Sequence, residues 1–198
     1  MGQGLLGLPL PHAYIQVMLR CTVEGSGDRN DTQICPLFLE SDWLPSGFPI
    51  AGGDNCFAIF VALQNAATAG ELRLTSLDPQ VQPSLNYRYL SDPWDLERMR
   101  KAVRLAVRLA EHTAFRDVIT ERVLPADADL ASDEALNSWI LCHVGTEHHS
   151  SGTCKMGPAN DPMAVVDASV MPDVVRVNTN CTTIMIGERA ADFIREGR

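Results

Sequence analysis

The sequence has no apolar run that approaches the roughly 20 residues needed to cross a bilayer. Its first residues, MGQGLLGLPLPHAY, have neither the basic start nor the long apolar stretch of a secretory signal. The initial Met-Gly pair is followed by Leu6, at the position where N-myristoylation requires Ser or Thr. We therefore expect no membrane span and no lipid anchor of this type.

Positive charge is also scarce. Sixteen Lys and Arg residues against 25 Asp and Glu residues give a formal net charge of -9 and a pI of about 4.9. Proteins that bind the phosphates of nucleic acids carry a clustered basic excess, so we expect no nucleic acid partner. The six cysteines are scattered and form no CxxC pair. This usage is typical of free thiols in a reducing compartment, and the expected location is cytoplasmic.

Most of the first 90 residues have the composition of β-strands. β-Branched and aromatic residues are enriched in short segments separated by Gly-, Pro-, Asn- and Asp-rich loops. In GELRLTS, Leu72 and Leu74 alternate with Arg73 and Thr75, which predicts a half-buried strand. Strands this close in sequence favour antiparallel pairing, because parallel strands need long crossovers. The predicted strands are 12–21, 32–40, 56–65, 70–76 and 84–90.

Three later segments have helical periodicity. The first, residues 91–115, begins with Ser91 or Asp92 as N-cap and Pro93 in the first turn. Residues 132–145 form the second predicted helix, capped by Ser132, and residues 182–197 form the third. In the first helix, an apolar stripe is predicted to face the core and a basic set to form a solvated face. The stripe is Leu96, Met99, Val103, Ala106 and Ala110, and the basic set is Arg98, Arg100, Lys101, Arg104 and Arg108.

Four segments near the end of the chain are specific in combination: GELRLTSLDPQVQPSLNYRYLSDPWDLERM, HHSSGTCKMGP, DASVMP and NTNCTTIMIGERAADFI. In this order they resemble the C-terminal half of the glucose-methanol-choline (GMC) flavin oxidoreductases. The resemblance is good over residues 56–198 and weak over the first 55. It implies an α+β fold with an antiparallel sheet backed by helices. A substrate-binding domain would occupy residues 1–145, and a catalytic segment returning to an FAD domain would occupy residues 146–198.

The resemblance also implies an enzyme that oxidises a small-molecule alcohol with FAD. The family's catalytic His stands three residues before the Gly of Gly-Thr-Cys, which places that role on His149, with His148 at the wall of the substrate pocket. The second catalytic position is expected at Asn180, which precedes the last helix. Four further residues are expected to approach the cofactor: Asp167, Ala168, Cys181 and Thr182.

The chemistry of these residue types agrees with such roles. Hydride transfer from an alcohol requires loss of the hydroxyl proton, and a histidine with a pKa near 6.5 suits that transfer near neutral pH. Asn180 can donate an amide N–H to the alkoxide oxygen without competing for the proton. Asn also suits a helix N-cap, and the positive end of the last helix would favour negative charge on a reduced flavin.

The sequence departs from the family in two places. It has no Gly-x-Gly-x-x-Gly turn to hold the FAD pyrophosphate, because the glycines of GQGLLG at residues 2–7 have the wrong spacing. A separate Rossmann half is therefore an expected partner. The stretch DPMAVVDASVMP also runs through directly where relatives have a further strand-turn-strand. Asp167 then corresponds to one or the other of two family aspartates.

Two other interpretations remain open from the sequence. One is a non-catalytic, truncated remnant that folds or binds a partner without flavin, which would expose apolar surface where the missing half docks. The other is a metal-binding module that uses His143, His148, His149 and Cys154 as nitrogen and sulfur ligands.

Overall fold

The computed structural model describes residues 17–37, 58–156 and 166–197. Five β-strands in these residues are β1 (Leu19–Cys21), β2 (Thr32–Leu37), β3 (Ala58–Leu63), β4 (Glu71–Arg73) and β5 (Ser84–Asn86). The helices are α1 (Pro93–Ala110), α2 (Asp127–Leu130), α3 (Asp133–His143) and α4 (Asn180–Glu196). Single 3₁₀ turns cover Thr113–Phe115 and Ala168–Val170. No helix in the described residues is long and apolar enough to cross a membrane.

The first three strands form an antiparallel sheet in the order β1-β2-β3. Strand β2 is central, so that Ile34 lies between Leu19 of β1 and Val61 of β3. Pro36, which has no N–H to donate, lies beyond the described pairing of β1, which reaches only Thr32–Ile34. Antiparallel pairing of neighbouring strands is confirmed. The predicted extensions at 12–16, 38–40 and 56–57 lie outside the described residues.

Strands β4 and β5 form a separate two-stranded antiparallel ribbon. The residue just before β4 is Gly70. A larger residue would not fit there, because a Cβ at this position would lie 2.7 Å from the carbonyl oxygen of Asn86. The prediction that this strand is half-buried is wrong, since Leu72 is 44% exposed and Leu74 is 78% exposed. Alternation predicts which side chains share a face of a strand, but it does not determine whether another element covers that face.

Helix α1 packs across β3 and α3. Its predicted start is confirmed, with the Asp92 carboxylate accepting from the Trp94 N–H at 2.8 Å and Pro93 as the first helical residue. Ser132 caps α3 as expected by accepting from the Ala135 N–H at 3.1 Å. The core cluster consists of Val103 with Leu136 and Ile140 of α3, and the partly buried side chains around it are Leu90, Leu96, Met99, Leu130 and Trp139.

Arg98 contradicts the predicted solvated face of α1, because it is only 1% exposed. Its guanidinium donates to Asp95 at 2.6 Å and to Asp31 at 3.3 Å. It also donates to the carbonyl oxygens of Gln64 and Asn65. Burial raises the pKa of Asp95, but hydrogen bonds from the Ala67 N–H and from Arg98 outweigh burial and hold this pKa below its usual value. Arg98 therefore links α1 to the residue before β2 and to the residues after β3 through a buried ion pair and buried hydrogen bonds.

Candidate active site

The His149 imidazole lies in the loop that follows α3, and it has hydrogen-bond partners at both ring nitrogens. Its Nε2 lies 2.7 Å from Nδ2 of Asn178, and its Nδ1 lies 3.2 Å from the Thr179 hydroxyl. His149 is partly buried, and Thr179 is 8% exposed. The last residues before α4 therefore hold the ring from both sides, although they are 29 and 30 positions away in the sequence.

These contacts determine which nitrogen of His149 carries the proton in the neutral ring. The amide nitrogen of Asn178 can only donate, so Nε2 must accept with its lone pair. Nδ1 then carries the hydrogen and donates to Thr179 Oγ1. Nε2 is therefore the unprotonated nitrogen, and it can accept a proton once its hydrogen bond from Asn178 is replaced by one from a substrate hydroxyl.

Asn178, and not Asn180, contacts His149. Helix α4 begins with Asn180, so the prediction that Asn180 caps this helix is wrong, and Thr179 is the N-cap residue. The side chains of Asn178 and Asn180 are both exposed. Sequence reasoning did not select Asn178, although it lies two residues before Asn180 in Asn-Thr-Asn.

The Gly-Thr-Cys loop is tied to the DASVMP segment by backbone hydrogen bonds. The N–H groups of Gly152, Cys154 and Met156 donate to the carbonyl oxygens of Ala168, Ser169 and Val170 at 3.1, 3.0 and 2.8 Å. Gly152 has φ +73°, and a Cβ there would lie 3.2 Å from the Met171 carbonyl oxygen. This pairing joins the loop that follows His149 to the segment that leads into α4, even though relatives are expected to have more chain between them.

The remaining predicted residues surround this arrangement. His148 is exposed with φ 62°, and its N–H donates to the Thr146 hydroxyl at 3.0 Å. The Asp167 carboxylate caps the 3₁₀ turn by accepting from the Ser169 N–H at 2.8 Å, and the Ala168 carbonyl oxygen accepts from Gly152. Cys181 and Thr182 lie in the first turn of α4. The first three N–H groups of this helix have no acceptor within it.

Glu147 is a residue of this region that sequence reasoning did not select. It is partly buried, and both of its carboxylate oxygens accept from Nε2 of Gln64, at 3.3 and 3.2 Å. Burial raises the pKa of Glu147, and the Gln64 hydrogen bond together with electrostatic interactions with His149 and Arg20 opposes that rise only in part. The sequence feature that could have identified Glu147 is its position two residues before His149.

The metal-binding interpretation is wrong for the four residues named for it. Residues 17–37, 58–156 and 166–197 contain no group of three or more His, Cys, Asp or Glu side chains that could hold a metal ion. The His143 ring stacks on Trp139 with centroids 4.4 Å apart, and its Nδ1 lies 2.7 Å from the Trp139 carbonyl oxygen. Cys154 is a free thiol, as are the other four cysteines of the described ranges.

Comparison of the sequence with known proteins finds oxygen-dependent choline dehydrogenases among its relatives. An oxygen-dependent choline dehydrogenase from Photobacterium profundum is 34% identical over 153 residues, which cover 70% of this chain and 27% of the relative. One from Rhizobium etli is 35% identical over 159 residues, which cover 73% of this chain and 29% of the relative. The chain thus spans a little over a quarter of the length of these curated relatives.

Solved structures of similar fold include pyridoxine 4-oxidase from Mesorbium loti, with a TM-score of 0.79 and 18% identity over 92% of this chain and 38% of that one. A fungal aryl-alcohol oxidase has a TM-score of 0.58 and 28% identity over 71% of this chain and 25% of that one. The likeness to the oxidase from Mesorbium loti supports the fold, and it confirms the α+β class. A family model described as GMC oxidoreductase matches residues 66–187. The chain therefore belongs to the GMC oxidoreductase family, and it matches the C-terminal part of that family.

Proposed function

We propose that this chain supplies the proton-handling residues of an FAD-dependent oxidoreductase that oxidises a primary or secondary alcohol. The observation that carries the proposal is the 2.7 Å contact between His149 Nε2 and Asn178 Nδ2, directly before the positive end of α4. A general base beside an amide donor is the combination that removal of a hydroxyl proton requires. The choline dehydrogenases that it resembles are named for an alcohol, which supports this substrate class.

His149 is the proposed base. Its Nε2 accepts the substrate hydroxyl proton while Nδ1–H remains hydrogen bonded to Thr179, which stabilises the resulting imidazolium. Removal of the proton places negative charge on the alcohol oxygen and makes the carbon-bound hydrogen a better hydride donor. A base of this kind typically contributes on the order of 10²- to 10⁴-fold in rate.

Asn178 takes the role that the sequence assigned to Asn180. When a substrate hydroxyl occupies the acceptor side of Nε2, the amide N–H groups of Asn178 are free to donate to the alcohol oxygen as its charge develops. The amide does not titrate near neutral pH, so it cannot take the proton in place of His149.

The residues present fit FAD at the start of α4. The first-turn N–H groups of Asn180, Cys181 and Thr182 have no acceptor within the helix, and the helix dipole adds positive potential there. These donors would hold the electron-rich edge of the flavin, and Asp167 and Ala168 would lie along the rest of the cofactor. FAD supplies the hydride acceptor when bound. The chain supplies position, a proton acceptor and a favourable potential.

The test is anaerobic flavin reduction by an alcohol in the full-length polypeptide, or in this chain complemented with a separate FAD-binding half. His149→Ala should slow the reduction by roughly 10²- to 10⁴-fold. His112→Ala is a matched control, because His112 is exposed and accepts only from the Ala114 N–H in a distant turn. A His149→Ala rate equal to that of the control would overturn the proposal.

A second candidate function is a non-catalytic subunit that binds a partner without flavin. Exposed apolar side chains favour it, and they lie on β4, on the loop that joins β4 to β5, and on α4: Leu72, Leu74, Leu77, Ile184, Met185 and Ile194. Such surface is usually covered by another element or chain. The two functions differ in their response to complementation, because a non-catalytic subunit would bind the FAD-binding half without restoring alcohol oxidation.

A further inference from the structure

An arginine-lined cleft lies beside the candidate active site. It has a volume of about 530 Å³ and is lined by Arg20, Arg29, Asn30, Arg176 and Val177. Three of these five residues are arginines, although the chain as a whole has a net charge of -9. The guanidinium group is planar and presents several N–H donors in a fixed fork, which matches the oxygens of carboxylates and phosphates.

The arginines of the cleft are only partly neutralised. The Arg176 guanidinium pairs with Asp28 at 2.6 Å and donates to the Arg29 carbonyl oxygen at 3.4 Å. Arg20 donates to the Arg176 carbonyl oxygen, and its Nε is buried without a hydrogen-bond partner. The exposed Arg29 guanidinium has no hydrogen bond or ion pair within the described ranges. The cleft therefore contains unused donors and uncompensated positive charge.

The position of the cleft relates it to the chemistry proposed for His149. Val177 lines the cleft, and the next residue, Asn178, contacts His149. Adjacent Cα atoms are about 3.8 Å apart, so the wall of the cleft and the proposed proton-transfer site are neighbours. Arg20 also acts electrostatically on Glu147, which lies two residues before His149. The wall of the cleft is therefore continuous in the chain with the residue that contacts His149.

We propose that this cleft binds an anionic group, a carboxylate or a phosphate, carried by the alcohol substrate. This inference rests on the proposed function and specifies its substrate class. Choline, after which the curated relatives are named, is a quaternary ammonium cation, and the Arg29 guanidinium, which no carboxylate of the described ranges neutralises, would repel it. The substrate preference of this chain should therefore be opposite in charge to that of its relatives.

The binding part can be tested on this chain alone, without flavin. Inorganic phosphate is titrated by calorimetry at low ionic strength, with chloride at equal ionic strength as the reference. Arg29→Gln should weaken phosphate binding by about tenfold, since it removes a charge-assisted hydrogen bond. Arg116→Gln is the matched control, because it removes the same charge from an exposed side chain outside the cleft. Equal phosphate affinity in wild type, Arg29→Gln and Arg116→Gln would overturn the site.

The substrate part uses the full-length or complemented enzyme. A phosphorylated alcohol, a neutral alcohol of the same length and choline are compared by kcat/KM. The ratio of the phosphorylated to the neutral alcohol should exceed one and fall about tenfold in Arg29→Gln, while Arg116→Gln preserves it. A preference for choline in wild type would overturn the inference.

Two further results separate the causes of failure. Lack of turnover with any alcohol would overturn the proposed function and the substrate class together, whereas phosphate binding lost only in Arg29→Gln would still support the cleft as an anion site. Adenosine diphosphate, which carries the same diphosphate as FAD, tests the other source of phosphate. Competitive binding of adenosine diphosphate with no discrimination among alcohols would assign the cleft to the cofactor and overturn the substrate class.

Discussion

The side-chain amide nitrogen of Asn178 lies 2.7 Å from Nε2 of His149, across 29 positions of the sequence. Two features of the fold produce this proximity. The loop after His149 is joined by backbone hydrogen bonds to residues 168–170, and the chain then turns into α4 just after Asn178. The contact forms although the segment before Asp167 is shorter than the family resemblance implies.

Asn178→Ala should slow anaerobic flavin reduction by about 10²- to 10³-fold in the full-length or complemented enzyme, because it removes a donor to the developing alkoxide. Asn180→Ala should cause a smaller loss, since it is Asn178 that contacts the His149 ring and the backbone N–H of Asn180 is unchanged by the substitution. Stopped-flow absorbance of the flavin measures both variants under one substrate concentration series. A larger loss in Asn180→Ala than in Asn178→Ala would return the catalytic role to the helix residue.

The sequence predicted the existence of five strands and three helices, but it made two strands too long, since β4 ends at Arg73 and β5 ends at Asn86. Five strands and three of the helices have residue patterns that alternate or recur at helical spacing, and local caps such as Asp92 and Ser132 were readable. The family motifs selected His149, and the structure brings its ring against Asn178 and Thr179, the two residues before the last helix. These features depend on residues that are near one another in the chain.

What the sequence could not predict depends on distant partners. Arg98 has the same charge as the more accessible basic residues of α1, and distant partners such as Asp31, 67 positions away, distinguish it as a buried residue. Which asparagine of Asn-Thr-Asn contacts His149 depends on where α4 begins, and this position was known only from the structure. The exposure of Leu74 required knowledge of what lies above the β4–β5 ribbon. Local patterns do not carry this information.

The buried pairing of Arg98 predicts a large stability effect. Arg98→Met should lower the free energy of unfolding by about 3–5 kcal/mol, because the Asp31 and Asp95 carboxylates stay buried without their partner. Arg108→Met, on the exposed side of the same helix, should change it by no more than about 0.5 kcal/mol. Urea unfolding followed by circular dichroism measures both. If Arg98→Met lacks a folded baseline, Arg98→Lys should fold and remain less stable than Arg108→Lys, since lysine lacks the fork that reaches both carboxylates.

Gly152 predicts a local effect on the loop that follows His149. Gly152→Ala should destabilise the chain by about 1–2 kcal/mol, because alanine is strained at φ +73° and its Cβ would approach the Met171 carbonyl oxygen and Lys155 Cε at 3.2 Å. Gly187→Ala should instead stabilise by about 0.5–1 kcal/mol, since Gly187 lies within α4 and no atom would lie within 4 Å of its Cβ. Thermal unfolding measures both. Equal shifts in the melting temperature would contradict the strain assigned to Gly152.

Glu147 predicts the pH dependence of stability near the site. Burial raises the pKa of Glu147 in the folded chain above its value in the unfolded chain, so the folded state binds more protons between these two pKa values. The free energy of unfolding must then fall as pH rises through that window, because the unfolded state releases its proton first.

Glu147→Gln keeps an oxygen acceptor for Nε2 of Gln64 and removes the titration. We expect the variant to be more stable than wild type above the folded-state pKa, and to have a flatter stability profile through mildly acidic pH. Glu134→Gln, at an exposed carboxylate whose pKa is lowered mainly by backbone hydrogen bonding, should leave the fall across this window unchanged. A stability profile for Glu147→Gln that is parallel to that of wild type would show that Glu147 does not titrate in this window.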